Sequence, residues 1–386
     1  MNVKSSTNAR GGTVLLVAAL LLAARETIFT PEEWGDVPRL WRTAYAHDYS
    51  FSGVPAVEGA RVFGGIAGDA VAFDAGTGKV LWRTRVRGTN TSVASRNIVA
   101  RDGQVFLSEP DGVYSLDAST GAIRWRFRPP EQADYARTAL DERAFYVGTW
   151  GRHVYALARA DGAVLWSADL GPDWPATDQQ RVNGITAAGD TLYVSAQRMV
   201  HVLNTSHVTG LVVALEARTG REIWRYENPE PKNENVILAA PAVTGSRVLV
   251  VEGGRLAFAV GLDRATGREV WRTPLSGSSG IDHELVVIDG IAYGGSSDTY
   301  VWAFDVETGR VIWKRPSGGA SIHSLSACGD WLLASGLGLV VMDRQTGTVL
   351  ASRINREEEF ITSGFAVQGD RFFAFSTKAA YGFRCR

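Results

Sequence analysis

The sequence predicts an all-β fold, an eight-bladed β-propeller, and three observations predict it. A turn phrase of the form Asp-x-x-Thr-Gly-x-x-x-Trp recurs seven times, and its glycines (Gly78, Gly121, Gly162, Gly220, Gly267, Gly309 and Gly347) lie 38 to 58 residues apart. Between the copies run short alternating apolar segments such as ARVFGG and AVAFD, which have the period and composition of strands. An eighth unit is split. FAVQGDRFFAFSTKAAYGF, from Phe365 to Phe383, reads as three strands with no turn phrase, and RLWRTA, from Arg39 to Ala44, matches the outer-strand segments VLWRTR and EVWRTP. Units of four strands at this spacing are propeller blades.

The elements follow in chain order. Residues 1–30 are read as a signal or anchor: Lys4 and Arg10 precede the apolar run TVLLVAALLLAA, from Thr13 to Ala24. Arg25 and Glu26 stand where a small-residue cleavage site is expected, which favours an uncleaved hydrophobic helix over a cleaved signal. Residues 31–38 form a linker, and residues 39–386 the propeller. Arg39–Ala44 is expected to be the outer strand of blade eight, closing the ring with the C-terminal strands. Each later unit leads through a Gly-Asp-type turn into a hairpin and the turn phrase.

The phrase has local physics. Its Asp accepts hydrogen bonds from turn amides, its Thr hydroxyl reinforces them, and its Gly supplies a positive φ. The Trp, four residues on, is expected to bury its ring between blades and donate its indole N–H to a backbone carbonyl. This assigns blade docking to Trp41, Trp82, Trp125, Trp166, Trp224, Trp271 and Trp313. Blade three has Ala158 in place of the Asp, and blade seven has Ala351 in place of the Trp, so a differently filled contact is expected there.

Composition narrows function. Lysines and arginines number 40 and acids 41, with no basic run, so a nucleic-acid partner is not expected. Cys328 and Cys385 are far apart and form no CxxC, which excludes a zinc ribbon or redox dithiol. They are expected as two unpaired thiols, with a single disulfide as the alternative.

The repeated phrase resembles the tryptophan-docking repeat of the PQQ-type (quinoprotein-like) eight-bladed propellers, over nearly all of the chain beyond residue 38. That family includes quinoprotein alcohol dehydrogenases and the outer-membrane assembly lipoprotein BamB. The enzyme branch carries an adjacent Cys-Cys pair, a calcium held by Glu, Asn and Asp, a catalytic Asp and long insertions. This chain has no adjacent cysteines and no long insertion. The resemblance therefore implies the BamB-like, non-enzymatic branch: no catalytic residue, cofactor or metal is expected. A PQQ-dependent dehydrogenase or a small-ligand-binding propeller is the alternative. BamB-like proteins are lipidated through an N-terminal cysteine, absent here, which favours an accessory subunit of a membrane complex, such as an electron-transport assembly, over an envelope-assembly factor.

Strand order in a blade places the Thr-Gly turns and the loops between first and second strands on one face. Loops between second and third strands, and the links between blades, lie on the other. Blade four puts its extra length on that second face: the link GPDWPATDQQRVNG (Gly171 to Gly184) and the loop AQRMVHVLNTSHVTG (Ala196 to Gly210). Trp174, Met199, Val202, Leu203 and His207 are the candidate interaction residues of these loops. His201 and His207 are read as polar loop residues rather than metal ligands. Arg96, Arg137, Arg181, Asn183, Asp282, His283, Glu284, His323 and Glu358 precede first strands and are expected near the central channel. The expected function is a protein-interaction scaffold on the periplasmic side of the inner membrane, with protein partners and a membrane contact through its N-terminal segment.

Overall fold

The computed structural model describes residues 37–45, 53–66, 68–86, 98–109, 112–130, 138–173, 179–202, 205–228, 236–253, 256–275, 284–296, 298–318, 322–336, 338–354, 361 and 363–385. The expected N-terminal helix lies outside these residues. Among them, 32 strands form eight antiparallel sheets of four, from β1 (Arg39–Ala44) to β32 (Ala379–Arg384). Seven blades use four consecutive strands each. The eighth joins β1 to β32, then to β31 (Arg371–Phe375) and β30 (Ala366–Gln368). The ring is an eight-bladed propeller, closed by strands from both ends of the chain, with Arg42 opposite Tyr381.

Side-chain alternation explains why the blades need one another. In the second strand of blade two, Val105 and Leu107 pack toward blade one, while Phe106 packs toward blade three. A strand buried on both faces cannot be satisfied by its own sheet. The apolar core accordingly falls into eight clusters, each drawn from two neighbouring blades.

The turn phrase joins these clusters at the rim. Trp41 donates its indole N–H to the Ala75 carbonyl at 3.0 Å, and its ring lies against Gly78, whose φ is +72°. A Cβ at Gly78 would enter that ring, so both the turn and the docking require glycine. The bond repeats as Trp82 to Ala118, Trp125 to Arg159, Trp166 to Ala217, Trp224 to Arg264 and Trp271 to Val306, at 2.8–3.0 Å. The Trp313 ring lies against Gly347 in the same way. Two residues beyond three of these tryptophans, Thr43, Thr84 and Thr273 donate to the carbonyls of Gly78, Gly121 and Gly309 at 2.6–2.7 Å.

The interface between blades seven and eight differs. Ala351 takes the tryptophan's place, and Cys385 takes the place of the accepting residue, immediately after the third strand of its blade. Cys385 is disulfide-bonded to Cys328, the last residue of β26 (Ser324–Cys328) in blade seven, with 6.0 Å between Cα atoms. The expectation of two unpaired thiols is thereby corrected. No local pattern announced the pair, because the ring closure, not the sequence spacing, brings the two residues together. Ala351 packs beside the bridge in the same apolar cluster.

The turn carboxylates carry a pH signature. Hydrogen bonds from Thr77, Thr266, Thr308 and Thr346 hold Asp74, Asp263, Asp305 and Asp343 below the ordinary carboxylate range. Asp117 is held down first by Arg124 and then by Ser119. A group whose pKa falls on folding contributes stability above its unfolded value, about 3.9, and loses it as pH drops through the folded value. The unfolding free energy from urea titrations is therefore expected to fall steadily below about pH 4, and Asp→Asn replacement at all five turns is expected to flatten that slope.

Candidate interaction surface

Blade four departs from the regular plan on the face opposite the Thr-Gly turns. Its strands are β14 (Gln179–Ala188), β15 (Thr191–Val202), β16 (Thr205–Glu216) and β17 (Glu222–Glu227). Pairing of β15 with β16 runs from Thr191 opposite Glu216 to Val202 opposite Thr205. β17 joins only from Leu211 onward, and β14 follows β15 out to Gln179 opposite Met199. The segment Ala196–Gly210, expected as a loop, is thus mostly strand, as is the second half of the expected link Gly171–Gly184. An unusually long hairpin, flanked by β14, projects from the disc by about 20 Å at roughly 3.3 Å per residue.

The root of this extension is packed from both sides. Val182 fits against Gly148 of blade three, where a Cβ would collide with it, and its N–H donates to the Thr149 carbonyl at 3.2 Å. Arg181 donates to the side-chain oxygen of Asn183 at 2.7 Å and lies 5.5 Å from the Trp150 ring centroid. Asn183 is buried, and its amide reaches Gln197 at 3.2 Å and the Ile237 carbonyl of blade five at 2.7 Å.

On the blade-five side sits a buried charge. Glu252, wholly buried at the end of β19 (Arg247–Glu252), accepts from Tyr226 at 2.8 Å, Asn228 at 2.7 Å and Arg272 at 2.8 Å. Arg272 also pairs with Glu269 at 2.8 Å and covers the Phe258 ring. Burial first, and then the Glu252 charge, push the Tyr226 hydroxyl far above the ordinary tyrosine range, so it remains a donor. The Asn228 backbone N–H donates to the Gly210 carbonyl, which ties this network to the base of the projecting β16.

The sequence-derived candidates distribute unevenly. Met199 is a half-buried residue of β15, between Gln179 and Val208. Val202 closes β15 opposite Thr205, and His207 lies in β16 opposite Val200; their side chains, like all of Trp174 and Leu203, lie outside the described residues. Of the channel candidates, Arg181 and Asn183 meet on β14 and Glu284 and His323 lie exposed on blade links, while Arg96, Arg137, Asp282, His283 and Glu358 fall outside the described residues. Sequence reasoning missed Trp150 and Leu256, 40% and 56% exposed, on the second-to-third-strand loops of blades three and five that flank the extension. Their signal was position: these loops share the face that blade four enlarges.

The surroundings of this surface match known proteins in fold and repeat. The chain is 28% identical over 284 residues to the outer membrane protein assembly factor BamB of Burkholderia pseudomallei, covering 70% of this chain and 67% of that protein. It is also 29% identical over 188 residues to the quinohemoprotein alcohol dehydrogenase ADH IIB of Pseudomonas putida, which covers 47% of this chain but only 20% of the enzyme. The crystal structure of BamB from Moraxella catarrhalis superposes with a TM-score of 0.68 at 16% identity, covering 90% of this chain and 99% of that one. A family model described as outer membrane protein assembly factor BamB matches residues 38–188, 91–315 and 208–382 in overlapping registers. These matches span the whole ring, and the chain belongs to the BamB family of propellers.

Proposed function

We propose that this protein is a non-catalytic scaffold that docks protein partners on the face bearing the blade-four extension, on the periplasmic side of a bacterial envelope. The observation that carries the reading is the extension itself. Seven blades keep the regular plan, and one projects a paired, well-rooted hairpin flanked by the exposed Trp150 and Leu256. Rigid scaffolds carry binding function on such departures from the repeat. The BamB relatives, named for outer membrane protein assembly, support protein partners as the kind of ligand.

The chain enters β1 from the Thr-Gly face, where Arg39 pairs with Phe383 beside Cys385. In this reading the preceding apolar segment holds that face toward the membrane, and the extension points away from it. An accessory role in a membrane complex and an envelope-assembly role share this geometry.

The test is native co-purification of C-terminally tagged protein from membranes in mild detergent. It is paired with a variant in which Arg198–Thr209 is replaced by Asn-Gly, a two-residue hairpin turn. The intact protein is expected to travel in a stoichiometric complex, and the shortened one to lose its partners at an unchanged melting temperature. Identical complexes for both would overturn the docking face. Fractionation of inner and outer membranes in the same preparation assigns the membrane. Turnover of alcohols on addition of PQQ and calcium would instead establish the dehydrogenase reading suggested by the enzyme relatives.

A further inference from the structure

Three blades place an arginine directly after the third strand: Arg159 in blade three, Arg264 in blade five and Arg344 in blade seven. Two of them reach back to a carboxylate of the preceding blade. Arg159 bonds Asp102 at 2.9 Å, and Arg344 bonds Asp289 at 2.9 Å. Both partners open an Asp-Gly turn between first and second strands, at φ of 53° and 50°. Blade four reverses that dipeptide to Gly189-Asp190. The first turn position then has no side chain, and the Asp190 carboxylate is held by Arg143 at 2.7 Å.

Arg264 is left with neutral partners. It donates to the Tyr193 hydroxyl at 3.0 Å, the Gly245 carbonyl at 3.3 Å and the Ala188 carbonyl at 3.2 Å. No carboxylate of the described residues lies within ion-pair distance of it. The nearby acids are already engaged: Asp190 by Arg143, Asp263 by the amide and hydroxyl of Thr266, and Glu307 by Arg247 at 2.8 Å. A cleft of about 460 Å³ opens at this place on the Thr-Gly face, lined by Arg264 and Tyr193, by the already engaged Asp190 and Asp263, and by Ile223, Trp224 and Ala265, which supply apolar surface. That volume is in the range of small-ligand sites.

We propose that this cleft binds a carboxylate, which completes the ion pair of Arg264 from the place that Asp102 and Asp289 occupy in the equivalent interfaces. The rest of the ligand lies along Ile223 and Ala265. A small free acid and the C-terminus of a peptide offer the same group, and the two are separated by experiment.

The full-length protein is titrated calorimetrically with phenylacetate and with N-acetyl-glycyl-phenylalanine, each compared with its amide. An acid is expected to bind about tenfold or more tightly than its amide, since a charge-assisted pair is lost in the amide. The tighter acid identifies the source. The decisive variant leaves Arg264 in place. In Gly189→Asp, the new side chain starts 3.9 Å from an Arg264 terminal nitrogen, in a turn whose φ of 65° resembles those holding Asp in blades two and six. It supplies the missing carboxylate internally and is expected to abolish acid binding, while Gly189→Asn retains it. Equal affinity for acid and amide, no binding of either acid, or undiminished binding by Gly189→Asp would each overturn the proposal.

Discussion

Glu252→Ala is expected to destabilise the propeller by about 3–5 kcal/mol, the range found when one partner of a buried ion pair is removed. The substitution removes the carboxylate that accepts from Arg272, the Tyr226 hydroxyl and the Asn228 amide, and leaves Tyr226, as a donor, only its bond to Glu269 at 3.1 Å among the described residues. Arg272 keeps Glu269, which places the loss toward the lower end of that range. Urea unfolding measures it directly. Hydrogen exchange adds a sharper readout, because Asn228 secures Gly210. Amides of β16 from Thr205 to Gly210 are expected to exchange faster in the variant, while those in blades one and eight stay protected. Glu252→Gln retains one acceptor and the side-chain volume, and its cost is expected to be about 1–3 kcal/mol. If Glu252→Ala proved neutral, the network would be a passive feature of the interface and not the anchor of the extension.

Removing the Cys328–Cys385 disulfide is expected to cost a similar amount by a different route. The bridge closes a loop of 57 residues, for which chain-entropy reasoning gives about 4 kcal/mol. Reduction, or Cys328→Ser with Cys385→Ser, should lower the midpoint of urea unfolding accordingly. The location adds a second expectation. Every other docking position in the chain carries a tryptophan, whereas this interface has Ala351. Blades seven and eight are therefore expected to separate first in the reduced protein, with exchange rising in β26 and β32 ahead of the rest. Loss of exchange protection spread evenly round the ring would show that Ala351 and its apolar neighbours hold the interface without the bridge.

The fold was legible because its determinants are local. Asp, Thr and Gly act within a few residues of one another, so each copy announces its own turn, while each Trp marks the outer strand that docks on the next blade's turn, and the WRT of Trp41-Arg42-Thr43 marked such a strand far from its sheet. The disulfide was legible only in retrospect, from Ala351 and Cys385 standing in for both halves of one docking contact. The blade-four extension was misread as loops because its strands outrun the usual blade length and the sequence between Val202 and Thr205 carries no glycine of the kind that hairpins commonly use. The Glu252 network was hidden for a different reason. Residues 226, 228, 252, 269 and 272 come from two blades, and nothing in their spacing shows that one carboxylate satisfies three donors. Trp150 carries no sequence signal of its own, and only the closed ring brings it beside Arg181.

The seam in blade eight sets an order of events during synthesis. β1 leaves the ribosome before any other strand of the propeller, yet its partner β32 follows more than 300 residues later. Until then its backbone groups have no ladder to join, and Trp41 can already dock on the blade-one turn through Ala75 and Gly78. The first blade thus serves as a holding site for a strand that belongs to the last. Blades one to seven can assemble as they emerge, each against its predecessor, but the circle stays open until the final strands arrive. In the closed ring Cys385, directly after β32, meets Cys328 of blade seven, so the native bridge locks the seam in its closed register.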